Sequence, residues 1–244
     1  MSDPAFLRRV AALAQFRVVD PRRPELSGAD DHHLRAVLRA SSGEEVVVTD
    51  GRGAWAVAAV AAAGLHPLTD VLHEAPPRER SLYLAPLKGD RSEWAIVKAT
   101  ELGVSTIVPL LSHRVVVKCR GEARTKLLAR WRRLAHEASA QSRRTHYPTI
   151  ADPLTPDQVP RDVAVCDFGG DGSWAHVVGV AIGPEGGWEA AEWGGERRRL
   201  SLGPTVLRAE TAAVAAATLL AFHAPDWGYA RGSGALSNDE VSHD

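Results

Sequence analysis

Two glycine-bearing turns near the C-terminal end constrain this chain most: Gly183-Pro184-Glu185-Gly186-Gly187-Trp188, and the run from Ser201-Leu202-Gly203-Pro204 through Leu207-Arg208-Ala209-Glu210-Thr211. Each follows a short apolar run, and each is predicted to open a helix. Two strand-to-helix turns of this kind, about twenty residues apart, set backbone N–H groups and two helix N-termini around one ligand at the edge of an α/β sheet. Glycine serves tight connections in any α/β protein. A Pro-Glu-Gly-Gly run together with a Leu-Gly…Leu-Arg-x-Glu-Thr-Ala run, in the last quarter of one chain, exceeds that need, and the chain reads as an enzyme.

The rest of the sequence divides in two. Glu45-Val46-Val47-Val48-Thr49, Asp50-Gly51-Arg52-Gly53 and Ala54-Trp55-Ala56-Val57-Ala58-Ala59-Val60 form a hairpin signature within a small β-rich domain over residues 1–75. Ala75-Pro76-Pro77-Arg78-Glu79-Arg80 cannot continue a sheet and marks the boundary. Strand, helix and strand then alternate: Leu82-Tyr83-Leu84-Ala85, a helix from about Arg91 to Leu102, and Thr106-Ile107-Val108-Pro109-Leu110, a βαβ unit. Asp90 is expected to cap that helix with Glu93 as capping-box partner, and Gly103 to end it in the left-handed region. A second helix, about Ala123 to Ser142, carries Leu127, Trp131, Leu134 and Ala138 on one stripe, with Leu128 and Ala135 beside it. Strands at Val163–Cys166, Val177–Ile182 and Leu200–Leu202, with helices at about 188–198 and 208–223, complete an α/β sheet of five or six strands within residues 76–230. Residues 231–244 read as a disordered tail.

Composition excludes several classes. Of 244 residues, 45% are hydrophobic and 24% charged, with a formal charge of −1, so a globally basic nucleic-acid coat is ruled out. Cys119 and Cys166 stand in unrelated contexts, which indicates neither zinc nor a disulfide framework and fits a reducing cytoplasm. No apolar run or N-terminal signal suggests secretion or a membrane anchor. Asp50-Gly51-Arg52-Gly53-Ala54-Trp55-Ala56 fits a dinucleotide-binding spacing, but a β-like run follows it instead of a helix, so the pyrophosphate would have no helix N-terminus. Asp30-Asp31-His32-His33 reads as an Asp-capped helix start with one His packed and one solvated, not as a metal site. Between Arg114 and Arg144 cations greatly outnumber the carboxylates Glu122 and Glu137. The end of that stretch, Gln141-Ser142-Arg143-Arg144, pairs arginines able to clamp phosphate with polar side chains able to read bases, a combination that favours RNA.

Several stretches together resemble the E-type uridine-N3 methyltransferases of small-subunit ribosomal RNA, within the SPOUT class of knotted S-adenosylmethionine enzymes. They are His32 to Arg39, Lys88-Gly89-Asp90-Arg91 with Glu93-Trp94, Lys98-Ala99-Thr100-Glu101-Leu102-Gly103-Val104, Arg114 with Val116-Val117-Lys118, Gln141 to Arg144, Ile182 to Gly187, and Leu202-Gly203 through Ala212. The resemblance covers about residues 5–228. Three positions depart from it: Ala140 and His113 where many relatives carry Glu, and Trp188 for a frequent Phe.

The resemblance implies a PUA-like β-barrel RNA-binding domain followed by an α/β SPOUT domain with a trefoil knot. It also implies a cytoplasmic homodimer that uses S-adenosylmethionine, needs no metal, and acts on 16S ribosomal RNA or the assembled small subunit. The donor is expected between Leu202 and Leu207, with Gly183, Pro184, Glu185, Gly186 and Gly203 around it. RNA contacts are expected from His33, Arg35, Arg39, Lys88, Arg91, Lys98, Gln141 and Arg143. Arg114 or Arg208 would stabilise charge on the uracil oxygens, and Glu210 would orient an arginine, accept the proton, or only hold the knot. A 2′-O-ribose methyltransferase of the same fold class and a non-catalytic assembly factor stand as the alternatives.

Overall fold

The computed structural model describes residues 4–223 apart from 118, 190 and 194; the tail read from the sequence, residues 231–244, lies outside the described residues. The N-terminal part opens with α1 (Pro4–Ala11) and β1 (Gln15–Arg17), followed by the short helix α2 (Gly28–His32), which runs on into one π-type turn over His33–Val37. Next come β2 (Glu45–Thr49), β3 (Ala54–Ala61), β4 (Gly64–Pro67) and β5 (Leu72–His73). The expected hairpin is present, with Glu45 opposite Ala59 and Thr49 opposite Trp55. Strands β2 and β3 read as nearly unbroken apolar runs because both faces of their sheet are covered. Val46, Val48, Ala56, Ala58 and Val60 pack with Leu34 and Phe16, while Val47, Trp55 and Val57 pack with Ala12 on the other side. Ser27, not an Asp, caps α2, its hydroxyl accepting from the Asp30 N–H. Both His32 and His33 are exposed, His33 with its ring edge toward Phe16.

No helix or strand spans residues 74–80. The second sheet is six-stranded and wholly parallel: β6 (Ser81–Leu84), β7 (Thr106–Pro109), β8 (Thr149–Ile150), β9 (Ala164–Cys166), β10 (Gly179–Ile182) and β11 (Arg199–Leu200). Their order is β11-β9-β10-β6-β7-β8. Helices α3 (Arg91–Glu101), α4 (Gly121–Gln141) and α5 (Ala209–Phe222) cover one face, where Leu82, Leu84, Ile96, Trp131, Ile182 and Leu220 meet in one core. Tyr83, Val108, Val165 and Ala181 point to the other face, which Val159, Val163 and Trp193 close from loops. Period-two alternation thus appears along β6, but with both sets buried.

Several local expectations change. Asp90 has helical dihedrals and makes no side-chain cap; Ser92 Oγ instead accepts from the Leu87 N–H at 2.7 Å, and Glu93 pairs with Arg130. The supposed capping-box acid is thus used between helices. Gly103 does occupy the left-handed region, at φ 89°. On α4 the buried face is Leu128, Trp131, Ala135 and Ala138, with Leu127 and Leu134 only partly buried at its edge. The helix expected at 188–198 does not form among the described residues: a short turn spans Ala191–Trp193, and Gly195 sits at φ 128°. The Glu192 carboxylate accepts from the Glu189 and His113 N–H groups, taking donors that a continuing helix would leave free. The first glycine turn therefore opens no helix, and only the second does so.

The two sheets share a polar seam. Arg9 and the Thr145 hydroxyl both reach the Glu74 carboxylate, the Gln15 amide donates to the Arg144 carbonyl at 2.7 Å, and Arg143 donates to the Ala12 carbonyl at 2.8 Å.

Candidate active site

Strands β9, β10 and β11 end at one level, and their last residues, Cys166, Ile182 and Leu200, floor a cavity of about 460 Å³. That is the crevice outside the carboxyl ends of the strands where open α/β sheets hold ligands. One wall is Gly183-Pro184-Glu185 with Trp188; the opposite wall is Leu202 to Arg208, continued by Ala209 and Ala212 of α5. The two glycine turns thus face each other across one cavity. Gly183 permits this because Trp188 lies against it: an added Cβ would sit 3.0 Å from the indole ring. Gly203 takes φ 125°, a conformation side chains resist. The indole N–H of Trp188 donates to the Cys166 carbonyl at 2.9 Å, a link that the more usual Phe could not make.

Of the residues expected at the donor, Gly183, Pro184, Glu185, Leu202, Gly203 and Leu207 all line this cavity. Gly186 does not; it faces the other side of its turn, against the aliphatic part of Arg114. Arg208 lines the cavity from the N-cap of α5, extended at ψ 152° and without a side-chain cap, so the first N–H groups of α5 stay open to a ligand. Burial pushes the Cys166 thiol up to about 12, with Asp167 adding to the shift, so the floor carries a neutral sulfur. Asp167 and Phe168 form a further wall that the sequence did not reveal. Their segment is held to β11 by the Asp167–Arg199 ion pair and by the Trp174 indole N–H on the Ser201 carbonyl. Only the strand order, which sets β9 beside β10 and β11, brings them to the site.

Arg114 lies across the first turn. Its Nη1 donates to the Gly186 carbonyl at 2.6 Å, and His113 beside it meets Glu189 at 2.9 Å. That carboxylate raises the His113 pKa, and the histidine in turn lowers that of Glu189. Glu210, in the first turn of α5, is not among the residues lining the cavity; its Oε2 is buried without a hydrogen-bond partner among the described residues.

The residues expected at RNA separate into two groups. His33, Arg39, Lys88 and Gln141 are exposed. The others are engaged within the protein: Arg35 with Asp31 and the Ala61 carbonyl, Lys98 with Glu101, and Arg91 with Glu185. The phosphate clamp expected of Arg143 and Arg144 is not built. Arg143 reaches into the seam, while Arg144 donates to the Thr100 and Val104 carbonyls at the end of α3, and burial lowers its pKa to about 10. Carbonyls at a helix end and along a seam take up these guanidinium donors. Much of the cationic helix is likewise matched, with Arg124 on Asp152, Lys126 on Glu122 and Arg133 near Glu137.

The fold and cavity define an α/β enzyme with an appended β domain. A family model described as an RNA methyltransferase domain matches residues 74–221, and one described as an RNA methyltransferase PUA domain matches residues 26–69. The class is therefore that of RNA methyltransferases. The chain is 33% identical to the ribosomal RNA small subunit methyltransferase E of Synechocystis, over 77% of this chain and 69% of that protein. It is 27% identical to the Bacillus subtilis protein of the same name, over 81% of this chain and 89% of that one. A methyltransferase of Legionella pneumophila, solved with S-adenosylmethionine, superposes with a TM-score of 0.73 at 27% identity, covering 85% of this chain and 96% of that one. The ribosomal RNA small subunit methyltransferase E of Neisseria gonorrhoeae, bound to S-adenosyl methionine, gives 0.68 at 25% identity, covering 86% and 97%. The chain belongs to the ribosomal RNA small subunit methyltransferase E family.

Proposed function

We propose that this protein methylates N3 of a uridine in 16S small-subunit ribosomal RNA, with S-adenosylmethionine as donor. The observation that carries the reading is the cavity between the two glycine turns, in a chain similar to two methyltransferases solved with S-adenosylmethionine bound. Its volume falls within the roughly 300–1,000 Å³ usual for small-molecule sites. Its apolar floor, closely approachable backbone and open α5 N-terminus suit an adenosyl group joined to a charged amino-acid end. When bound, S-adenosylmethionine supplies the methyl group as a sulfonium. The protein must then hold the uracil in line and stabilise its anion, because protonated N3 is a poor nucleophile. Leu202 and Leu207 bound the slot, and Arg208, which lines it, and Arg114, beyond the first turn, are the cations assigned to the uracil oxygens. Glu210 positions the start of α5 or accepts the proton. N3 is blocked in a base pair, so the target is unpaired or extruded.

The same reading includes the trefoil knot of the C-terminal segment, a division into domains near residue 75, a cytoplasmic setting and a homodimer. The dimer is supported by α5, which is apolar nearly all round and leaves Phe222 exposed, and by the exposed Trp94 on α3. No helix among the described residues is long and apolar enough to cross a membrane. The experiment is transfer of label from methyl-tritiated S-adenosylmethionine to small-subunit RNA. Label that remains on the base after digestion to nucleosides is expected. Label on ribose would favour the 2′-O alternative, and donor binding without transfer would favour an assembly factor.

A further inference from the structure

Phe168 lines the donor cavity and is nevertheless 70% exposed. Of the large apolar side chains around that cavity, only Phe168 and Val206, on the second glycine turn, stay mostly in water; Ile182, Trp188, Leu200, Leu202 and Leu207 are buried or half-buried. Apolar surface left in water beside an open cavity is surface that an occupant can cover. Phe168 also lies outside every stretch that carries the family resemblance, which therefore assigns it no role.

We propose that Phe168 is the base-recognition residue of the donor site, its ring stacking on the adenine of S-adenosylmethionine. The inference rests on the methyltransferase reading above. A purine presents a flat π face, and an aromatic side chain set against it gains both covered area and a favourable ring geometry. The floor suits the same end of the donor, since Ile182, Leu200 and the neutral Cys166 sulfur bring no charge under the ring. The donor's carboxylate is matched elsewhere, by the open N–H groups at the start of α5.

The backbone holds Phe168 in place for this role. The Asp167 N–H donates to the Leu200 carbonyl at 3.0 Å, the Gly172 N–H donates to the Arg199 carbonyl at 3.0 Å, and the Gly170 N–H closes a turn on the Asp167 carbonyl at 3.2 Å. Gly169, third in that turn, takes φ 82°, the positive value a type II turn requires there. Gly170 lies flush against β11, where an added Cβ would stand 2.6 Å from the Leu200 backbone. The Asp167–Arg199 ion pair fastens the same segment from its side chain. Strand β11 leads directly into Leu202, which bounds the slot expected for the adenine, so a segment tied to β11 sets Phe168 on that side of the cavity.

The test uses the full-length protein as wild type, Phe168→Ala and Phe168→Tyr, substitutions at an exposed side chain that leave the core intact. Calorimetry measures S-adenosylmethionine affinity. Phe168→Ala should weaken it about tenfold, a usual cost of losing one base–aromatic stack, and Phe168→Tyr should restore most of the loss. The chain has four phenylalanines, so labelling with 4-fluorophenylalanine gives a countable fluorine NMR spectrum in which the Phe168 resonance is the one missing from Phe168→Tyr. In wild type, adenosine alone should shift that resonance as S-adenosylmethionine does, and methionine alone should not. A shift with S-adenosylmethionine but not with adenosine would place the ring on the sulfonium or the amino-acid end and overturn the proposal. Unchanged donor affinity in Phe168→Ala would also overturn it, a raised KM for RNA in that variant then placing the ring on the acceptor side. A wild type that binds neither S-adenosylmethionine nor adenosine would overturn the methyltransferase reading together with the proposal.

Discussion

Arg114 shows how far single residues could be read and where reading stopped. Family resemblance alone offered it as a cation for the uracil oxygens, and its tie to the Pro-Glu-Gly-Gly turn through the Gly186 carbonyl comes from the structure. If it stabilises charge developing on the uracil, Arg114→Ala should lower kcat by about 10²–10³, the cost of losing one preorganised charge-stabilising donor, with donor affinity little changed. Steady-state kinetics beside calorimetry separate the two. His113, a departure from relatives, has acquired its own partner in Glu189. Its folded pKa lies above the unfolded value of 6.5, so the pair's contribution is complete below that pH and is lost as pH rises through the folded value. An NMR titration should place the His113 midpoint above 6.5, and Glu189→Gln should return it toward 6.5. Arg143 and Arg144 were misread because composition counts charge but not direction: an arginine beside a helix end can serve carbonyls as well as phosphates.

At the scale of elements, periodicity located β2, β3, β6, β7, α3, α4 and α5 to within a few residues, since each has a buried face whose spacing the sequence must respect. The stretch at 188–198 failed for a different reason. Its apolar residues, Trp188 and Trp193, pack edge to face at 4.8 Å over the sheet as loop residues, and aromatic spacing alone does not distinguish that from a helix. The side-chain cap expected of Asp90 is not made; Ser92, in the first turn of α3, instead holds the segment that leads into the helix. Because Ser92 is buried and bonds the Leu87 N–H, Ser92→Ala should destabilise the protein by about 1–2 kcal/mol, while Asp90→Ala should cost clearly less. Urea denaturation of the two variants decides, and equal losses would restore Asp90 as the cap. The donor cavity itself was half legible. Both turns could be found, but Asp167 and Phe168 enter it only through a strand order that no local pattern encodes.

Across the whole molecule, the seam between the two sheets turns a change of rhythm near residue 75 into a mechanical question. Arg143, with a partly buried guanidinium on the Ala12 and Leu13 carbonyls, links α4 to the N-terminal sheet, and Arg9 and Thr145 converge on Glu74. Removing Arg143 strands those carbonyls, so Arg143→Ala should separate a single calorimetric unfolding transition into two, the N-terminal unit melting first. One unsplit transition at an unchanged temperature would show that the seam does not couple the units. A rigid seam would also fix the exposed residues of the β domain, His33 and Arg39 among them, relative to the cavity between the glycine turns. The central claim is that this cavity serves methylation of N3 of a uridine. Its most direct test is mass spectrometry of nucleosides from small ribosomal subunits of a strain lacking the gene, after incubation with the purified protein and S-adenosylmethionine. The account predicts 3-methyluridine that is absent from the untreated subunits; methylation of a ribose, or of another base, would contradict it.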